Sequence, residues 1–258
     1  MYFWKRVLTS DELTAVYKVL KAKYRIENTQ LGDWNLGPAG MQIPLPSGVQ
    51  LQLDVPLTDA STNPPVNLST PGSRTATKVG SPTLQSSVIR PGKTYVGYAP
   101  GTPGAATTGE WSWTRAAWNT LTAKNFAIEA WINIPTLASA DGSVQHLCGA
   151  GAPNTMGTSF GLYKTAGQWY MLCNSYYGQL AVGGITITNG TWHHIAMTYT
   201  HSGTTTNLYF DGILVGSGTA LAATDYGSPT TFYLGGHDNN GIYTNALAGY
   251  ISNFRLYT

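Results

Sequence analysis

Residues 191–215, TWHHIAMTYTHSGTTTNLYFDGILV, hold the clearest two-residue alternation and the clearest turn in the chain. Ile195, Met197 and Tyr199 fall on one face of an extended segment, and Trp192, His194, Ala196 and Thr198 on the other, which is the period of a half-buried strand. After a polar break at 201–206 come Leu208-Tyr209-Phe210, Asp211-Gly212 and Ile213-Leu214-Val215. Asp-Gly suits a two-residue type I′ turn, in which both positions take positive φ. The stretch therefore predicts three consecutive antiparallel strands. His193 and His194 are neighbours on the first of them, so they point to opposite faces and do not share a metal ion. One is expected to face the core, hydrogen bonded.

Outward from this stretch the same signals recur. Strands are predicted at 126–134, 145–148, 159–164, 169–174, 184–188, 231–234 and 250–256, with an earlier one at 49–54 and short ones near 77–79, 87–89 and 94–98. Short strands separated by Gly-rich turns predict an all-β, two-sheet antiparallel sandwich. Only 10% of the 258 residues are charged, against 30 Gly, 16 Tyr and 8 Trp, and the net charge is +2. No basic run offers a phosphate-binding stripe, so no nucleic-acid partner is expected. No apolar run reaches the 18 or so residues of a membrane helix, and the start MYFWKRVLTSDEL lacks the apolar core of a signal peptide. Cys148 and Cys173 fall on strands with the 160–163 strand between them. Strands next but one lie about 9–10 Å apart, beyond disulfide reach, so two thiols are expected.

Several strings carry a resemblance. Thr191-Trp192-His193-His194-Ile195-Ala196 followed by Leu208-Tyr209-Phe210-Asp211-Gly212 resembles the signature of laminin G-like jelly-roll domains, which are concanavalin A-like lectin sandwiches. Phe126-Ala127-Ile128-Glu129-Ala130-Trp131-Ile132, Phe160-Gly161-Leu162-Tyr163 and Ala248-Gly249-Tyr250-Ile251-Ser252-Asn253-Phe254-Arg255-Leu256-Tyr257 fit that family in order. The resemblance covers residues 49–258 and implies a jelly-roll sandwich there. That fold hosts lectins, enzymes and structural modules alike, so the ligand stays open.

Residues 1–26 are expected to form an N-terminal strand and helix arm. Thr9 to Glu12 reads as a capping box, and Leu13, Val16, Tyr17, Leu20 and Tyr24 recur at helical spacing. In laminin G-like domains of phage proteins a segment like residues 6–13 follows the last strand, whereas here it comes first. Tyr2-Phe3-Trp4-Lys5 also resembles the final strand. A chain beginning inside a multi-repeat protein, a circular permutation and an arm packing on its own or a neighbouring subunit are the three explanations, and the arm is preferred. Residues 27–48 read as a Gly- and Pro-punctuated linker.

The candidate chemistry is sparse. Asp54 and Asp59 resemble the acidic pair that opens many laminin G-like domains and are the candidate ligands for calcium, the one ion the chain would take. Otherwise no cofactor is expected. Residues 100–118 look like an insertion whose Trp111, Trp113 and Trp118 serve as core, the preferred reading because large aromatics are usually needed for burial, or as a sugar platform. Glycoside hydrolysis on this fold needs two carboxylates, but Glu129 is the only acid well inside a predicted strand. Gly157-Thr158-Ser159-Phe160-Gly161 matches a nucleophile elbow but leads into a strand rather than the required helix. Tyr176 and Tyr177 in one loop, and His237, Asp238, Asn239, Asn240 and Tyr243 in another, are the candidate glycan-binding residues. The expectation is a non-catalytic virion surface protein of a tailed phage, partnered by other virion proteins, copies of itself and host surface polysaccharide. The alternative is a secreted carbohydrate-binding module or a glycoside hydrolase of the same fold.

Overall fold

The computed structural model describes residues 51–55, 76–85, 96–100, 109–114, 125–135, 144–151, 159–175, 178–219, 231–239, 242–244 and 247–258. The expected arm (1–26), the linker (27–48) and Asp59 lie outside these residues. In chain order the strands are β1 (Leu51–Val55), β2 (Thr77–Gly80), β3 (Thr83–Gln85), β4 (Val96–Pro100), β5 (Gly109–Thr114) and β6 (Phe126–Asn133). There follow β7 (Val144–Gly151), β8 (Ser159–Thr165), β9 (Gln168–Ser175), β10 (Gly178–Ile185), β11 (Trp192–Thr200) and β12 (Thr205–Phe210). The last are β13 (Ile213–Gly218), β14 (Thr231–Leu234), β15 (His237–Asn239), β16 (Ile242–Thr244) and β17 (Ala248–Tyr257).

An eight-stranded sheet runs β13-β12-β11-β6-β17-β4-β3, with β1 also on β17, and a seven-stranded sheet runs β10-β9-β8-β7-β14-β5-β2. Every pairing is antiparallel. The molecule is thus the jelly-roll sandwich that the strand pattern predicts. Alternation does the sorting: along β11 burial alternates residue by residue, with His193, Ile195, Met197 and Tyr199 inward. Trp111, Phe160, Phe232, Phe254 and Ile132 fill the space between the sheets, and the Phe232 and Phe254 rings meet across it at 5.6 Å between centroids.

The Asp-Gly turn forms as expected. Asp211 and Gly212 take φ of 49° and 79°, and Phe210 pairs with Ile213 across them, the geometry that keeps the strand twist continuous through a two-residue loop. Strand β17 organises its sheet. One edge pairs with β6, while the other is shared end to end by β4, against residues 248–251, and β1, against residues 254–257. The register slips between Ser252 and Arg255, where Asn253 adopts φ 51°. Such a left-handed residue at a β-bulge suits Asn, whose short polar side chain tolerates that region.

Four expectations are corrected. Residues 109–114, read as part of an insertion, are β5, inserted between β2 and β14, while Trp111 and Trp113 are core, as preferred, at 0% and 3% exposure. Trp-Ser-Trp alternation was the signal for that strand; the surrounding Gly, Pro and Thr obscured it. Consequently Glu129 is not the only strand acid, since Glu110 lies in β5, fully buried. The strand expected at 184–188 is Gly178–Ile185; residues 87–89, where a short strand is also expected, lie outside the described residues. Finally, residues 237–239, read as loop, form a hairpin with residues 242–244.

Candidate functional site

Alternation along β6, β11 and β17 brings together, on the solvent side of the eight-stranded sheet, the side chains that the core excludes. Glu129, His194, Arg255 and Tyr257 meet there. The Glu129 carboxylate accepts from Tyr257 Oη at 2.6 Å and from an Arg255 guanidinium nitrogen at 3.3 Å on one oxygen, and from His194 Nε2 at 3.2 Å on the other. His194 in turn lies 5.4 Å, centroid to centroid, from the Trp131 ring. Burial alone would raise the Glu129 pKa, but the hydrogen bonds from His194 and Tyr257 and the charge of Arg255 outweigh it and bring it from the usual 4.5 down to about 2. Burial and the facing carboxylate raise the Tyr257 phenol in the opposite sense. The pair is therefore carboxylate and phenol throughout the ordinary pH range.

On the other side of β11, His193 is 8% exposed and stacks on Phe210 at 4.9 Å. Its Nδ1 lies 2.9 Å from Asp211 Oδ2, and its Nε2 accepts from the Thr188 N–H at 3.5 Å. Asp211 Oδ1 accepts the His194 N–H at 2.8 Å. The two histidines thus divide as expected, one into the core and one to the open face, and Asp211 ties the turn to both. Among the described residues no group of three or more His, Cys, Asp or Glu is placed to hold a metal ion.

Of the sequence-predicted site residues, Asp54 lies in β1 at the register position opposite Arg255. Tyr176, Tyr177 and Asn240 lie outside the described residues. Ser175 and Gly178, which flank the tyrosines, pair with each other beyond the Gly149–Ser159–Asn174 level of the second sheet. The other candidates sit in the β15–β16 hairpin, with His237 opposite Thr244, Asp238 opposite Tyr243 and Asn239 opposite Ile242. Its base is closed by Gly235 N–H to Leu147 O at 2.7 Å and Leu247 N–H to Gly235 O at 2.9 Å. That base lies beside Leu147 of β7. The Glu129 cluster was not foreseen as a site; three donor-bearing residues at alternate strand positions, His194, Arg255 and Tyr257, were its signal.

Ser159, the centre of the elbow-like string, opens β8 and is 2% exposed, as a chance match requires. Cys148 faces Phe160, and Phe160 faces Cys173. Both cysteines are free thiols, with one intervening strand as expected. Burial raises both thiol pKa values, that of Cys173 to about 12.

Comparison with known proteins agrees with this architecture. The chain resembles the botulinum neurotoxin type C structure reported for its interaction with two ganglioside molecules, at 14% identity and a TM-score of 0.56, over 81% of this chain and 47% of that one. It is similar to the binding domain of Paraclostridial Mosquitocidal Protein 1, at 12% identity and a TM-score of 0.54, over 81% and 48%. It is also similar to domain 4 of AbnA, an extracellular GH43 arabinanase from Geobacillus stearothermophilus, in complex with arabinotriose, at 15% identity and a TM-score of 0.52, over 81% and 92%. The chain spans about half the length of the toxin chains it matches. A search of curated proteins finds no significant relative. Residues 98–258, more than half of the chain, match the family model of the concanavalin A-like lectin/glucanases superfamily, to which this protein belongs.

Proposed function

We propose that this protein is a non-catalytic, lectin-like module that binds glycan at the surface of a tailed-phage particle. The observation that carries the non-catalytic part is the state of Glu129. A glycosidase needs one carboxyl group that carries a proton and a second that attacks or activates water. Glu129 keeps no proton near neutral pH and spends its oxygens on His194, Arg255 and Tyr257. Binding is the activity left to such a face. The relatives support glycan as ligand: gangliosides for the type C toxin, SialylT for the botulinum neurotoxin DC binding domain and arabinotriose for the arabinanase domain. The phage setting rests on the resemblance of residues 6–13 and of the strand strings to phage laminin G-like domains. Copies of the chain and other virion proteins are the partners there, and repeated copies turn weak single contacts into avidity. No cofactor is required.

A second reading, a binding module carried by a secreted glycan-degrading enzyme, is favoured by the arabinanase domain, which this chain matches over 92% of that domain's length. Incubating the protein with arrayed and soluble polysaccharides separates the possibilities. Binding without release of reducing ends is expected, whereas release that disappears in Glu129→Gln would overturn the proposal. Mass spectrometry of purified particles decides between virion and secreted enzyme.

A further inference from the structure

We propose that the solvent face of the eight-stranded sheet carries a trough for a neutral oligosaccharide, floored by Ala127 and Ala196 and read by Asn207, Thr198 and Tyr209. This rests on the glycan-binding reading but puts the contact on the sheet instead of the loops. The registers place Tyr209, Ala196, Glu129 and Arg255 in one cross-strand row, and Ser217, Asn207, Thr198, Ala127 and Tyr257 in the next. Two short side chains at the centre, with longer ones on all sides, leave a depression. Ala127, Thr198, Ala196, Asn207 and Tyr209 are all half-buried, neither covered by other residues nor fully solvated.

The polar side chains around the depression are already oriented. Ser217 Oγ donates to Asn207 Oδ1 at 2.6 Å, and Asn207 Nδ2 donates to Thr198 Oγ1 at 3.2 Å. A carboxamide offers two donors and two acceptor lone pairs; these two bonds use one of each and hold it in place. What remains, one N–H and one lone pair, supplies a donor and an acceptor for sugar hydroxyls. Orientation fixed before binding lowers the entropic cost of the contact. Glu129, ionised and held from three sides, is a fixed acceptor at the far wall, and Tyr209 supplies a ring face for the apolar side of a pyranose. From β13 to β17 the rows cross four strand spacings, about 19 Å, room for a short oligosaccharide. The sugar is neutral because the permanent cation of these two rows, Arg255, is bound to Glu129, leaving a sugar carboxylate to meet a carboxylate.

Isothermal titration calorimetry of the full chain with arabinotriose, maltotriose and cellotriose as neutral probes, and sialyllactose as the acidic one, tests this. At least one neutral trisaccharide is expected to bind. Asn207→Ala, and separately Ala196→Trp, which fills the floor, should each weaken it tenfold or more with the thermal midpoint retained. The double variant Asp238→Ala/Tyr243→Ala reports separately on the hairpin candidates. Binding lost in the hairpin variant but kept in the other two would overturn the trough and leave the lectin reading standing. Preference for sialyllactose would overturn the neutral class, binding of no neutral probe would overturn the trough, and binding to no glycan on a broad array would bring down both.

Discussion

Glu129 shows how a single side chain acquires its chemistry from neighbours far away in sequence: Arg255 and Tyr257 follow it by 126 and 128 residues. Its folded pKa of about 2 lies below the usual 4.5, so the ionised carboxylate stabilises the fold above about pH 4.5, and that contribution is lost as the pH falls toward 2. Glu129→Gln is expected to cost about 1–3 kcal/mol at neutral pH, the 25% exposure of the side chain trimming the upper end. In urea titrations from pH 7 to pH 2 the gap between wild type and variant should close; a gap independent of pH would show that the hydrogen bonds, not the charge, hold the cluster. The cysteines make a second residue-scale case. Both are fully buried with raised pKa values, so iodoacetamide at pH 8 should label neither in the native protein and both after denaturation.

Elements are shaped by what their neighbours allow. The edge strands β10 and β13 of the two sheets approach each other closely, and glycine makes this possible: a Cβ at Gly216 would lie 2.6 Å from a Val182 methyl, and one at Gly218 2.8 Å from Leu180. Gly216→Val is therefore expected to destabilise by about 1–3 kcal/mol through overpacking. Val182→Ala in the same molecule should recover part of that loss, read as a coupling energy in a double-mutant thermal-melt cycle. Additive losses would mean that the strands separate instead of clashing. The β15–β16 hairpin was concealed in the sequence by its own polarity. Asn240-Gly241 is the dipeptide most favoured for such turns, but His237-Asp238-Asn239 has no apolar alternation to mark a strand. The backbone bonds from Gly235 to Leu147 and from Leu247 to Gly235 close its base, contacts that no local pattern encodes.

At the scale of the molecule, the family match begins at residue 98, yet β1, β2 and β3 precede it and pair with β17, β5 and β4. A fragment of residues 98–258 would leave residues 254–257 of β17 without β1 and expose new sheet edges, which promote association. Its melting midpoint is expected to fall by about 5–10 °C relative to residues 49–258, with higher-order species on size-exclusion chromatography. Equal midpoints and a clean monomer would reduce β1–β3 to an ornament. The sequence by itself determined the sandwich, the Asp211-Gly212 hairpin, the opposite faces of His193 and His194 and the separation of the two thiols, because each follows from alternation or turn chemistry among near neighbours. Only the tertiary structure decided that residues 109–114 join the second sheet, that Glu129 is held by Arg255 and Tyr257, and that residues 237–239 pair with residues 242–244. Those facts depend on which strands become neighbours, and strand order is set by burial summed over the whole chain, not by any local run of residues.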